Sequence, residues 1–484
     1  MALRDQYPVI DDRRYADLVA EARTRIPRYT PEWTDLNENE PGMAIVELFG
    51  WMTELLTYRL GKVPKLNYLK FLELVGIELT PAAPAAAEVV LPMLPTFAAG
   101  YTIVPARTQL SAQPAGADAP VVFETERALI ALVAQLDAVQ IDTGFEVLDA
   151  SAANAAADVG FRPFGSNPRP GAALMLGFDS AFAFPAVTID LMIWIQSRAA
   201  RGPLVARAGD APPPPVTLQW EFWDGKDWRA LDAQRDDTAA FSRSGHVVLS
   251  APPANAFVRT VRGKIAAPRY WLRARLVDGA YQTAPEVLAV RTNTATVRQA
   301  QSVDAEILGR SSGRPDQVFA VANVPVVAGS LVVDVDEGEG FAAWNEVADF
   351  YAAGPDDTVY VLNRTTGEVR FGNGRQGRIP VANPARPSNI VARRYRFGGG
   401  AAGNIGANAI DTLRGGMAGI DAGRVRNPFP AFGGADEESF DAVTRRAAAT
   451  LRSNERAVTV GDFELHAIAA GGIARAKALP LHHP

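Results

Sequence analysis

The 484-residue chain contains no cysteine. Disulfide scaffolds, thiol nucleophiles and cysteine-ligated zinc are therefore excluded. Histidine is nearly absent, with four residues, two of them at His482 and His483 in the C-terminal tail, so a histidine-built metal site is not expected. A long hydrophobic run is also missing. The most apolar stretch, Ala82 to Ala106, is broken by Pro84, Glu88, Pro92, Pro95 and Pro105, and it cannot cross a bilayer as one helix. The N-terminus, MALRDQYPVIDDRRYADL, has no apolar signal core, which predicts synthesis in the cytoplasm without an export signal of its own. Nor is there a basic excess. Lys and Arg number 48 against 54 Asp and Glu, for a net charge of −6, whereas nucleic-acid binders normally carry surplus positive charge.

The composition that remains is that of a soluble globular protein, 48 % hydrophobic and 21 % charged. The length suits two to four domains. Its 41 glycines and 35 prolines make up about 16 % of the chain, modestly above the usual ~12 %, and favour a turn-rich, largely β protein.

The most informative stretch runs from Asn363 to Asn408. Val359–Leu362 and Val369–Phe371 are β-branched and aromatic. The intervening Asn363-Arg364-Thr365-Thr366-Gly367 offers a glycine for a left-handed turn position, so the segment predicts a hairpin. Residues 390–397 alternate Ile390, Ala392, Arg394 and Arg396 against Val391, Arg393, Tyr395 and Phe397, which predicts a strand with two distinct faces. Two glycine clusters follow the G-x-G-x-x-G spacing, at Gly372, Gly374, Gly377 and at Gly398, Gly400, Gly403. A dinucleotide site needs that motif to open a helix. Pro380 after the first cluster and Asn404-Ile405-Gly406 after the second argue against a helix start, so both read as turn glycines.

FGNGRQGRIP at 371–380, followed by YRFGGGAAGN at 395–404, resembles the J-like baseplate wedge family of contractile phage tails and contractile injection systems. ENEPGMAIVELFGWMTELLTYRL and FLELVGIELTPAAPA are similar to the opening of that family. VPARTQLSAQ, GFRPFGSNPRPGAALMLGFD and the late GGADEES…RAVTVGDFE…IARA segment extend the likeness over most of the chain. The resemblance implies a structural wedge subunit without enzyme activity and with no cofactor. Its implied partners are other wedge subunits (a second, related wedge protein among them), the spike, hub and tube-initiator proteins, and the sheath. It also implies assembly in the cytoplasm into a contractile particle. Family members usually continue into a further β-containing domain, so the chain is expected to be a short member or a cut one.

Read in order, residues 12–26 predict an amphipathic helix through Tyr15, Leu18, Val19, Ala22 and Ile26, stopped by Pro27. Asn39 is expected to cap a second helix that begins near Pro41. That helix carries Ile45, Leu48, Phe49, Met52, Leu55 and Leu56, too many large apolar residues for one stripe. Ile45, Leu48, Met52 and Leu55 are the candidate partner interface. A third helix is expected over Lys65–Val75. Strands are expected at Glu88–Leu91, Ile103-Val104 and Val121–Phe123, and Ser151–Val159 reads as a loop. The Pro-rich 201–215 and the Trp-rich 218–271 predict a separate β-sandwich, with Trp220, Phe222 and Trp271 buried and Trp223 and Trp228 more exposed. Such a block raises a receptor- or glycan-binding tail component as the alternative function.

Gly309-Arg310-Ser311-Ser312-Gly313 matches the nucleophile-elbow spacing, but Pro315 opposes the helix that motif requires. Asp334-Val335-Asp336-Glu337-Gly338 half resembles a calcium loop and reads as a solvated acidic turn. Asp436 is expected to cap a helix through Leu451, and Thr459 with Asp462 is close to a capping box. The expected fold class is α+β, mainly β. Residues 1–80 form an N-terminal helical domain, 81–200 with 297–435 a β-rich core, 201–296 an inserted sandwich, and 436–484 C-terminal helices.

Overall fold

A computed structural model describes residues 13–479 except 38, 63–70, 73–75, 78, 115, 117–118, 197–215, 254, 387, 454–455 and 471–474. The chain is mainly β, with helices towards both ends. It divides into two units, one from residues 1–80 together with 438–484, the other from 81–437.

In the first unit, α1 (Tyr15–Tyr29) and α2 (Pro41–Lys62) pack together. Pro27 does not end α1; it lies within the last turn, two residues before the end. Proline clashes with the carbonyl four residues back, and so close to a C-terminus there is little helix left to break. The cap of α2 is also shifted. Glu40, not Asn39, accepts the Met43 N–H on its carboxylate at 2.9 Å, and Pro41 takes the first helical position, where its missing N–H is not needed. The expected third helix lies mostly outside the described residues. Leu72 and Ile77 form a small core with Val443 and Ala447, the last two from a helix over Phe440–Ser453. Ser439, rather than Asp436, lies at the head of that helix, accepting the Ala442 N–H. Thr459 and Asp462 do form a reciprocal capping box for the helix Val460–Ala469.

The second unit is nested. A five-stranded sheet orders Ala86–Val90, Thr294–Arg298, Val121–Thr125, Gln109–Ala112 and Ile410–Leu413, all antiparallel. Val89, Leu110, Phe123, Val297 and Ile410 close its core. Two long excursions leave this sheet and return to it.

The first excursion is a sandwich. One sheet orders Trp228–Leu231, Val216–Trp223, Ile265–Gly279, Ala173–Asp179, Gln135–Asp142 and Val147–Asp149. The other orders Ala233–Asp236, Gly245–Leu249, Ile189–Ile195 and Val287–Arg291. Leu174, Leu176, Leu191, Ile193, Trp220, Phe222, Val247 and Leu272 fill the space between them. A sandwich is present, but its boundary is not at residue 201. The strand Ile265–Gly279 pairs along Ala173–Asp179, with Leu272 opposite Leu176, so residues 135–195 belong to the same body as 216–291. The Pro-rich segment 201–215 lies outside the described residues; the strands before and after it, Ile189–Ile195 and Val216–Trp223, belong to the two sheets of that body. Trp220, Phe222 and Trp271 are buried as expected, and Trp223 and Trp228 are half-buried. Residues 151–156, expected as loop, form the short helix Ser151–Ala156. Asp149 starts it by accepting the Ser151 N–H at 2.9 Å, and alanine carries the highest helix propensity.

The second excursion, residues 301–397, is a seven-stranded sheet around Val333, Val335, Tyr360, Phe371, Ile390 and Tyr395. Its hairpin pairs Val359–Leu362 with Glu368–Phe371. Gly367 takes φ 76° at the turn, and Asn363 accepts the Thr365 and Thr366 N–H groups. The strand Ile390–Phe397 departs from simple alternation, because Ile390, Ala392 and Tyr395 are all buried. Val332 and Val333 pair with Arg394 and Ala392, so one extra residue sits between. This bulge moves the inward face by one position.

Candidate interaction surface

Among the described residues of the first unit, helix α2 carries seven exposed large apolar side chains. One stripe of it meets α1. Gly50 is what permits that approach, since a Cβ there would lie 2.8 Å from Val19 Cγ2. A cleft of about 230 Å³ runs alongside, lined by Leu18, Ala22, Ile45, Val46 and Phe49. The remaining faces are open. Ile45 is 57 % exposed, Leu48 54 % and Met52 44 %; Leu55 is half-buried. Phe49, Trp51, Leu56 and Tyr58 are exposed as well. A helix apolar on nearly every side is stable in water only when other surfaces cover it.

The Trp-rich block presents a different chemistry. Trp223 and Trp228 meet edge to face, with ring centroids 5.4 Å apart. The Arg262 guanidinium lies 3.7 Å from the Trp223 centroid and 5.0 Å from that of Trp228, and Arg273 lies 4.3 Å from Trp228. Sugars bind tryptophan by stacking on ring faces, and here guanidinium groups occupy them. Arg273 and Arg275 also bind Glu221, at 2.5 Å and 3.0 Å. Burial pushes the Glu221 carboxyl up, but hydrogen bonds from Arg275 and Arg273 outweigh it and hold the group below the usual carboxylate range.

The motifs with enzymatic spacing have structural placements. Ser311 is fully buried, and its hydroxyl donates to the Pro380 carbonyl at 2.5 Å. Its backbone N–H donates to Asn389. The acidic turn is not solvated: Asp334 and Asp336 are both buried. Asp334 takes Arg393 on its two oxygens, and Asp336 accepts the Gly338 and Gly340 N–H groups and pairs with Arg386. Among the described residues no group of three side chains is arranged to hold a metal ion, and no helix is long and apolar enough to cross a membrane. The first glycine cluster folds back on itself, with a Gly372 Cβ position 2.3 Å from the Gly377 backbone. The second runs into a single 3-10 turn, Ala401–Gly403.

One polar site went unseen in the sequence. His246 Nδ1 lies 2.7 Å from Asp190 Oδ1, and Nε2 lies 3.1 Å from Glu88 Oε2. Thr296 donates to the other Glu88 oxygen at 2.9 Å. The cluster fastens the sandwich to the five-stranded sheet. A lone histidine in the apolar strand GHVVL was its only trace.

No protein-family model matches the chain, and no curated protein matches it. Solved structures with similar chains include two baseplates. One is the type VI secretion system TssK-TssF-TssG baseplate subcomplex, at 11 % identity and a TM-score of 0.42, covering 85 % of this chain and 79 % of that one. The other is the 6-fold symmetrised baseplate of the anti-feeding prophage, at 13 % identity and a TM-score of 0.33. There the match covers 92 % of this chain and 54 % of the other, so the chain spans about half of that protein's length.

Proposed function

We propose that this protein is a structural baseplate subunit of a contractile injection system or phage-like contractile tail, a wedge component that joins its neighbours into a six-fold ring around the spike and tube. The observation that carries this reading is the open apolar surface of α2, where Ile45, Leu48, Met52 and Leu55 await a partner. The paired glycine motifs at 371–380 and 395–404 supply the family context. The proposed work is mechanical. Helices of neighbouring subunits bury the apolar faces of α2, and triggering exchanges one packing of those interfaces for another, which releases the sheath. The proposed partners are other wedge subunits, a related second wedge protein among them, the spike, hub and tube-initiator proteins, and the sheath. Glycan binding through the Trp-rich block is the weaker reading, because Arg262 and Arg273 cover the ring faces.

The test is assembly. With Leu48→Asp and Met52→Asp introduced together into the gene cluster that encodes this chain, electron microscopy of the producing cells is expected to show no complete particles. Particles of normal number and shape would overturn the assignment of α2.

A further inference from the structure

The hairpin formed by Arg259–Arg262 and the first part of Ile265–Gly279 lies on the outer face of the larger sandwich sheet. Two side chains from the sheet beneath lock it in place. Gln140, fully buried, donates from Nε2 to the Arg262 carbonyl at 3.1 Å and accepts the Lys264 N–H at 2.8 Å. Trp271 donates from its indole to the Thr260 carbonyl at 2.8 Å. Gly263, at φ 58°, makes the turn, and a Cβ there would strike Gln140 at 2.1 Å. The backbone carrying Arg262 is therefore held by two side chains, and its guanidinium lies over the Trp223 ring at 3.7 Å from the centroid, and 5.0 Å from that of Trp228.

The neighbouring arginines are all paired. Arg259 binds Asp179, Arg269 binds Asp137, Arg229 binds Asp224, and Arg273 and Arg275 share Glu221. Among the described residues no carboxylate forms an ion pair with Arg262. Burial and the charge of Arg273 push its proton affinity down, and Asp142 only partly opposes them. Close by, the Trp223 indole N–H is buried without a hydrogen-bond partner. A preorganised, half-desolvated cation without a counter-charge is an acceptor site for an anion.

We propose that Arg262, flanked by Trp223, Trp228 and Arg273, receives an aspartate or glutamate carboxylate from a partner protein. The surroundings favour one carboxylate over a polyanion. Asp142, Glu221, Asp224 and Asp227 interleave the cations of this face, so it offers no continuous basic surface for a nucleic acid or an anionic bilayer. The guanidinium offers the fork that a carboxylate fits with two parallel hydrogen bonds, and the indoles beneath exclude water from the pair.

The experiment selects ligands from a random peptide library displayed on phage, with the full chain as bait, in parallel for wild type and Arg262→Gln. Enrichment of Asp or Glu at a fixed peptide position is expected for wild type and not for the variant. A selected peptide is then labelled and its binding measured by fluorescence anisotropy. Arg262→Gln, and separately Glu→Gln in the peptide, should each weaken binding by about tenfold or more, and the two together by little more than either alone. The peptide-side change leaves the protein untouched, so the result stands even if Arg262→Gln destabilises the hairpin. Selections without acidic enrichment, or losses that simply add, would overturn the proposal. Retention on phosphatidylserine vesicles that depends on Arg262 and exceeds peptide binding would assign the site to lipid headgroups and overturn it as well.

Discussion

His246 uses both ring nitrogens on carboxylates, and that arrangement requires the doubly protonated imidazolium. Burial pulls its pKa down, but the hydrogen bonds and charges of Asp190 and Glu88 outweigh this and push it up to about 10. The unfolded chain titrates near the ordinary histidine value of ~6.5. The stabilisation is therefore complete below about pH 6.5 and fades as pH rises through the folded pKa. Replacing His246 by Leu leaves two part-buried carboxylates without the cation between them, at a cost of about 3 kcal/mol near neutrality. The melting-temperature gap between wild type and His246→Leu should be wide at pH 6.5 and narrow towards pH 10; a gap independent of pH would refute the imidazolium clasp. The sequence could not reveal this site, because its carboxylates lie 56 and 158 residues away. The glycines were legible, since turn chemistry is local. Gly374 sits at φ 82° and Gly399 at φ 136°, while a Cβ on Gly403 would meet Gln299 Oε1 at 2.0 Å. Alanine at each should lower unfolding free energy by about 1 kcal/mol or more in urea titrations.

At the scale of elements, α2 separates two roles that the sequence presented as one apolar crowd. Its positions facing α1 are core, and its positions facing outward are not. The spacing showed that one stripe could not hold all of them, but only packing shows that Gly50 marks the α1 side. Leu48→Asp with Met52→Asp should therefore leave the melting temperature of the isolated chain nearly unchanged. Gly50→Leu should push α1 away from α2, at a cost of about 1–3 kcal/mol for overpacking. Differential scanning calorimetry of both variants decides this. A large loss from the aspartates would place Leu48 and Met52 in a core and remove the case for an interface. The bulge in Ile390–Phe397 shows the opposite limit of sequence reading. Alternation predicted the strand, but the extra residue is set by pairing with Val332 and Val333 across the sheet, and no local pattern encodes it.

At the scale of the whole second unit, the strand pairing extends the expected 201–296 block back to residue 135. The proline-rich 201–215 lies outside the described residues, and the strands on either side of it, Ile189–Ile195 and Val216–Trp223, belong to two sheets of one body. The pairing that defines that body joins Ala173–Asp179 to residues almost a hundred positions later, where short-range signals say nothing. The true ends of the insert are marked by a clasp. Asn293 donates to the Leu132 carbonyl at 2.8 Å and accepts the Leu132 N–H at 2.7 Å, so the chain leaves and re-enters the five-stranded sheet at one point. Insertions with adjoining ends can be removed with little effect on the host. Two deletions should then behave differently. Replacing residues 205–291 by a short Gly-Ser linker removes Val216–Trp223 and Ile265–Gly279 from the sandwich sheet, along with Gly245–Leu249 and Val287–Arg291 from its partner. That strands Leu174, Leu176, Leu191 and Ile193 without a core, and the chain should aggregate. Replacing residues 134–292 removes the whole body. It uncovers Val90 and Phe429, which pack against Met192, Trp194 and Ala289, so some solubility is lost, but Phe123, Val297 and Ile410 keep their neighbours. Size-exclusion chromatography and circular dichroism of the two variants give the answer. A monomeric, cooperatively melting protein is expected only from the larger deletion. If the smaller deletion alone folds, residues 135–195 do not depend on 216–291, and the sandwich described here is wrong.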